Sequence, residues 1–309
     1  MTILTVRHVT TYRYRRPIAF GDHCMMFRPR DSYDQRLIDS RLRITPEPAH
    51  IHWIHDPFGN CVALARFKTR ASELRFESTI RVDHYPDNVP DFRTEPRAQT
   101  YPFVYDSEEM PDLMASIARG YPDPTGEIDR WVRKFLLPGR PTPTGQLLMT
   151  LTCAIKEGFT YTRRSAHGTQ DPVVTVRSGR GSCRDFALLM MEAVRSLGLA
   201  ARFVSGYLYV PSRDMRREGR REGADYVGGG STHAWCQVYL PGAGWVEFDP
   251  TNGIIGNRDL IRVAVARDPS QAVPLSGTYA GSPDDELGMK VQVNVEAETE
   301  DADADAARR

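Results

Sequence analysis

Three side chains, far apart in the sequence, could together perform nucleophilic chemistry: Cys183, His233 and Asp249. A thiolate attacks a carbonyl carbon, an imidazole carries its proton, and a carboxylate fixes the imidazole tautomer. Each residue also has an ordinary structural reading. A free cysteine is often a small buried thiol, a strand histidine is often only packed, and an Asp before a Pro often starts a turn. The elements that carry the three residues decide between these readings.

Cys183 lies in Gly179-Arg180-Gly181-Ser182-Cys183-Arg184-Asp185-Phe186. The two glycines let the backbone approach closely, and Ser182 stands three residues before Asp185, the spacing of a capping box. Apolar residues then follow at Phe186, Leu189, Met190, Ala193, Val194 and Leu197, one face of a helix, with Gly198 as its stop. The pattern predicts a helix from about Cys183 to Leu197. Its first turn leaves backbone N–H groups unpaired beside the positive end of the dipole. A thiolate at Cys183 is favoured there, and the same N–H groups could bind a developing oxyanion.

His233 opens a run that alternates like a strand, with His233, Trp235, Gln237 and Tyr239 on one face and Ala234, Cys236, Val238 and Leu240 on the other. Pro241 to Gly244 reads as a turn, and Trp245 to Asp249 as the returning strand of a hairpin. If Leu240 pairs with Trp245, Asp249 falls opposite Cys236, on the wrong face. If Tyr239 pairs with Trp245, Asp249 faces Trp235 and becomes a diagonal neighbour of His233, about 5–8 Å away. A triad therefore requires an odd-length loop or a bulge in this hairpin.

Around this site the chain divides by composition. Strand patterns occupy Thr2–Val6, Thr10–Tyr14, Ser40–Thr45, Ala49–His55, Cys61–Phe67 and Leu74–Asp83, with a turn at Asp56–Asn60. They predict an antiparallel β-sandwich over residues 1–85. A proline-punctuated stretch, 86–106, reads as a linker. Helical patterns at Ser107–Arg119, Gly126–Leu137 and Gly145–Glu157 precede the Cys183 helix. The expected class is α+β, with helices packed on an antiparallel sheet in a core of residues 107–295 that includes a C-terminal extension. Residues 296–309 read as a disordered acidic tail.

The blocks Arg180-Gly181-Ser182-Cys183-Arg184-Asp185-Phe186-Ala187, Arg195 to Leu208, Thr232-His233-Ala234-Trp235 and Gly244 to Gly253 resemble the bacterial transglutaminase-like superfamily, with its order of cysteine, histidine and aspartate. His8 to Tyr14 and Asp56 to Asn60 look like the β-domain that precedes this core in bacterial members, and Ile261 to Asp268 with Val273 to Gly277 looks like their C-terminal extension. The resemblance implies a papain-like core and acyl transfer from an amide through a Cys183 thioester. Water as acceptor makes a peptidase or amidase, the favoured reading; an amine acceptor makes a transglutaminase; a third possibility is a binding module that keeps the fold without the chemistry. Members often carry glutamine where Arg184 stands and histidine where Leu188 stands. Ser182, Arg184 and Trp235 are the expected substrate-binding residues, with Trp235 lining the acyl groove. Tyr161 and Gln146 both stand upstream as side chains that could complete an oxyanion site, and the sequence does not choose between them.

Other patterns are weaker. His50, His52 and His55 could suggest a metal, but no carboxylate or cysteine set accompanies them, so no metal and no cofactor is expected. Arg213 to Arg221 with Gly228 to Gly230 reads as a solvated loop, or as a hinged lid before His233. Forty basic and forty acidic residues give no net charge, which argues against nucleic-acid or membrane partners and leaves a peptide or protein substrate. Five irregularly spaced cysteines fit reduced thiols, and the N-terminus has no apolar signal core. A cytoplasmic location is expected. Oligomeric state is not legible.

Overall fold

Alternating residues along the first 84 positions build five antiparallel strands: β1 (Thr2–Met25), β2 (Gln35–Thr45), β3 (His50–His55), β4 (Cys61–Arg66) and β5 (Arg70–His84). The computed structural model describes residues 2–85, 93–164, 168–211, 227 and 229–298. The five strands run in the order β2-β5-β1-β4-β3. β1 pairs with β5 as far as Arg13, slips register before Ile18, and reaches β4 from His23 to Met25. Such a slip bends a strand, and the sheet curls around Tyr14, Ile18, Phe20, Met25, Leu74 and Phe76. The Asp56 turn forms as the sequence suggests. Its Oδ1 accepts the N–H groups of Phe58 (2.9 Å) and Asn60 (2.8 Å), and Gly59 takes a φ of +77°.

The second part begins with β6 (Thr100–Tyr101), α1 (Met110–Ile117), α2 (Glu127–Arg133), β7 (Thr142–Pro143), α3 (Thr144–Gly158) and β8 (Thr160–Tyr161). Then come α4 (Pro172–Ser178), β9 (Arg180–Gly181) and α5 (Cys183–Ser196). α4 has no counterpart in the sequence reading, although its signals are ordinary: Asp171 caps it by accepting from Val173 N–H (2.8 Å), and Gly179 ends it at φ +60°. A five-stranded sheet follows, made of β10 (Ala201–Leu208), β11 (His233–Leu240), β12 (Gly244–Asp249), β13 (Ile254–Ile255) and β14 (Leu260–Ala266), in the order β13-β12-β11-β10-β14. One face of this sheet, with Ala234, Cys236, Val238, Leu240 and Phe248, packs on the apolar stripe of α5. Among the described residues no helix is long and apolar enough to cross a membrane.

The last two strands, β15 (Leu275–Ala280) and β16 (Glu286–Ala297), return to the beginning of the chain and pair antiparallel with β1. The α+β class is as expected, and the predicted sandwich takes the form of one curled sheet of seven strands. The C-terminal extension is a correction in part: Ile261–Ala266 lies in β14 of the core sheet, while β15 and β16 complete the N-terminal sheet instead. Pairing between residues nearly 300 positions apart leaves no local trace in sequence. The predicted tail is also shortened at its start. Glu296 and Ala297 pair with Thr5 and Leu4, and Glu298 accepts two hydrogen bonds from Arg81, at 2.7 Å each, and one from Thr5 at 2.8 Å. Residues 299–309, the Arg213–Arg221 loop and residues 86–92 of the linker lie outside the described residues.

The seven-stranded sheet covers the second face of the core sheet. Leu4, Val6, Ile80, Val82 and Val293 pack against Tyr207, Ile261 and Val263. The core sheet is thus the middle layer, with α5 on one side and the N-terminal sheet on the other.

Candidate active site

Cys183 is the first residue of α5, as the helix signals require. Asp185 organises the turn that presents it. Its Oδ2 accepts both the N–H and the hydroxyl of Ser182, at 2.8 Å each, and its Oδ1 accepts the N–H of Gln170 at 2.6 Å. Gly181 is needed for space: a Cβ there would stand 2.9 Å from the Asp185 Cβ and 3.0 Å from the Phe186 ring. The two flanking residues proposed for substrate binding are otherwise employed. The Ser182 hydroxyl is donated to Asp185 and nearly inaccessible, so it caps the helix. Arg184 turns inward, donating to the Pro269 carbonyl (3.0 Å) with its guanidinium 5.9 Å from the Phe203 ring centre.

His233 begins β11 as Cys183 begins α5, and these two elements pack together. In the hairpin, Tyr239 pairs with Trp245 and Leu240 with Gly244, leaving a three-residue loop of Pro241, Gly242 and Ala243. This is the odd-length register. Asp249 consequently reaches His233, whose Nε2–H donates to Asp249 Oδ2 at 2.8 Å. Asn252 Nδ2 donates to the same oxygen at 2.9 Å, and the Thr251 N–H donates to Oδ1 at 2.9 Å. Burial pushes the Asp249 carboxyl up, but the charge and hydrogen bond of His233, helped by Asn252 and Thr251, outweigh it and hold it below the usual carboxylate range.

The other ring nitrogen, His233 Nδ1, is buried and has no nitrogen or oxygen partner. The Cys183 thiol lies near enough to act on the ring. Burial alone would pull the imidazole pKa down. Asp249, by charge and hydrogen bond, and then Cys183 reverse this, so the ring keeps its proton well above the ordinary histidine range.

Trp235 does not line a groove. It is wholly buried, stacks on His233 with ring centres 6.0 Å apart at 29°, and donates its indole N–H to Glu247. The alternation correctly placed it on the His233 face, but there it is packed among Val204, Leu208, Val210, Ile254 and Leu260. Of the two upstream candidates, Tyr161 is the one near Cys183. It pairs with Gly181 across β8 and β9, and burial followed by the Cys183 charge pushes its phenol up to about 12. Gln146 sits on α3 in a shallow hollow with Met149, Thr150 and Cys153. Asn252 was missed. Its signal was the Asp-Pro-Thr-Asn turn, which returns a side chain three residues on toward the starting carboxylate.

His50 and His52 stack on the edge strand β3 with ring centres 6.3 Å apart. Among the described residues no cluster of three or more His, Cys, Asp or Glu could hold a metal ion. A hollow of about 580 Å³ lies at the turn end of the β11–β12 hairpin, beside Tyr239 and Trp245, and includes none of the three residues.

Residues 4–83 match the bacterial transglutaminase-like N-terminal region, and residues 137–250 match the transglutaminase-like superfamily. The chain is 28% identical over 302 residues to the uncharacterized protein Rv2569c of Mycobacterium tuberculosis, covering 93% of this chain and 91% of that one. It is 38% identical over 114 residues to the uncharacterized protein ML0607 of Mycobacterium leprae, 37% of each chain. Its fold is similar to the crystal structure of a putative cysteine protease from Cytophaga hutchinsonii, with a TM-score of 0.69, 19% identity, and coverage of 97% of this chain and 92% of that one.

Proposed function

Since the chain belongs to the bacterial transglutaminase-like superfamily, we propose that Cys183, His233 and Asp249 act as a triad for acyl transfer from an amide or peptide, with water as the usual acceptor. The observation that carries this reading is the position of the His233 ring. One nitrogen is bound to Asp249, the other is buried without a nitrogen or oxygen partner, and the Cys183 thiol at a helix N-terminus acts on the same ring.

In this scheme the Cys183 thiolate attacks the amide carbonyl, forming a C–S bond and an oxyanion. The first-turn N–H groups of α5 and the neutral Tyr161 phenol would donate to that charge. His233 then gives its proton to the departing amine as the C–N bond breaks, leaving a thioester. His233 next takes a proton from water, whose oxygen attacks the thioester. The C–S bond breaks, the carboxylic acid leaves, and the thiolate–imidazolium pair is restored. Asp249 remains ionised and holds the ring.

The test incubates the protein with a peptide library and a labelled primary amine, using Cys183→Ala as control. Cysteine-dependent cleavage supports hydrolysis, whereas labelled products identify an amine acceptor. Neither product, together with a Cys183 no more reactive to iodoacetamide than Cys24 or Cys61, ends the reading.

A further inference from the structure

The polar face of the β11–β12 hairpin is buried, and one carboxylate organises it. Glu247 is only 4% exposed. Its Oε2 accepts the indole N–H of Trp235, and its Oε1 accepts from Gln237 Nε2 (2.6 Å) and Arg262 Nη1 (2.5 Å). Arg262 is shared with the segment between β1 and β2. It donates to Asp34 Oδ1 at 2.8 Å, to Asp34 Oδ2 at 3.2 Å and to the Ser32 hydroxyl at 3.2 Å. Gln35 fixes the same arginine through its backbone, donating to the Arg262 carbonyl (2.8 Å) and accepting its N–H (3.2 Å).

This chain of contacts ends on His233, because the Trp235 ring stacks on the imidazole. The ring is wedged in place. Gly206 lies opposite His233 in β10, and a Cβ there would come within 2.7 Å of the indole and 2.1 Å of the Ile261 carbonyl oxygen. Burying a carboxylate against a guanidinium is a poor way to gain stability, since packed apolar residues usually serve as well or better. A carboxylate that accepts the indole N–H also enriches the ring face, and that face supports a cation.

We propose that Glu247 is a positioning residue for His233, acting through Trp235, and that Asp34 holds Glu247 in place through Arg262, making the N-terminal segment part of the active-site apparatus. The inference rests on the triad reading. The charged and titratable groups in play are Asp249 and Cys183 around His233, then Arg262, Arg202, Asp34 and Cys236 around Glu247, with His84 beside Asp34.

The experiment measures the rate of Cys183 alkylation by iodoacetamide against pH, with the modified peptide identified by mass spectrometry. The alkaline limb of this profile, where His233 loses its proton and the thiolate loses its imidazolium partner, reports the His233 titration. In Glu247→Gln this limb moves down by about half a pH unit, the shift expected from losing support of cation–π size. Asp34→Asn moves it the same way by less, because Arg262 then pairs with Glu247 alone and neutralises it. Adding Glu247→Gln to Trp235→Phe shifts the limb no further than Trp235→Phe alone.

Asn60→Ala is the control for loosened packing. Asn60 also joins the N-terminal sheet to the core, donating to the Val265 carbonyl (2.7 Å) and accepting its N–H (2.9 Å), but it does not touch Trp235 or Glu247. It should lower the melting temperature and leave the limb unmoved. A limb that stays put in both Glu247→Gln and Asp34→Asn overturns the positioning role, as does an Asn60→Ala shift equal to that of Asp34→Asn. If Glu247→Gln does not fold, Asp34→Asn against Asn60→Ala decides alone. If wild-type Cys183 shows no enhanced alkylation, the triad reading fails instead.

Discussion

Tyr239 lies directly opposite Trp245, and that pairing brings Asp249 within 2.8 Å of His233. The side-chain period of a strand is two, so a one-residue slip would turn Asp249 to the α5 face. Deleting Gly242 shortens the loop by one residue and is expected to force such a slip. Circular dichroism should still report a folded chain, while the enhanced alkylation of Cys183 disappears. Enhanced reactivity surviving with Asp249 displaced would show that the carboxylate is not needed.

Asp249→Asn removes the charge that favours the imidazolium while keeping the side chain's size. The His233 pKa is raised in the folded protein chiefly by this carboxylate against burial. Losing it makes the ring give up its proton at lower pH. The alkaline limb of Cys183 alkylation is therefore expected to move toward neutral or below, with the maximal rate down by about tenfold or more. An unmoved limb would assign the raised pKa to Cys183 instead.

Asp185→Ala strips the α5 cap, leaving the Ser182 N–H, the Ser182 hydroxyl and the Gln170 N–H without their acceptor. The expected cost is about 1–3 kcal/mol in denaturant unfolding. Cys183 alkylation should slow as well, because the same turn aims the sulfur. A stability loss with unchanged alkylation would separate the cap from the presentation of Cys183.

Gly206→Ala places a methyl against the Ile261 carbonyl and the Trp235 ring. Backbone on one side and a locked indole on the other leave little room to yield, so a loss of about 1–3 kcal/mol or more is expected. Combining it with Trp235→Phe, which shortens the ring, should recover part of that loss. Simple additivity of the two would mean that the indole is not the obstacle.

The parts of this site that were legible in sequence are those governed by local rules. The Ser182–Asp185 spacing and the 3.6-residue stripe located the start of α5 to the residue, and strand alternation set Asp249 and His233 on one face once the register was chosen. Alternation says which side chains share a face but not what packs against it, so Trp235 read as open to substrate when it is buried among Val204, Leu208, Val210, Ile254 and Leu260. The return of Leu275–Ala297 to β1 was invisible for a related reason, since neither strand carries information about a partner so far away.

That return orders events during synthesis. β1 receives β15 and β16 only after Leu275–Ala297 has emerged, and pairings of such separation form late. The sheet that packs on Tyr207, Ile261 and Val263 thus lacks two of its seven strands until then. A nascent chain carries its sulfur and its imidazole well before the sheet behind the core is complete, so a site that depends on that sheet gains its full reactivity only once residues 275–297 have been made.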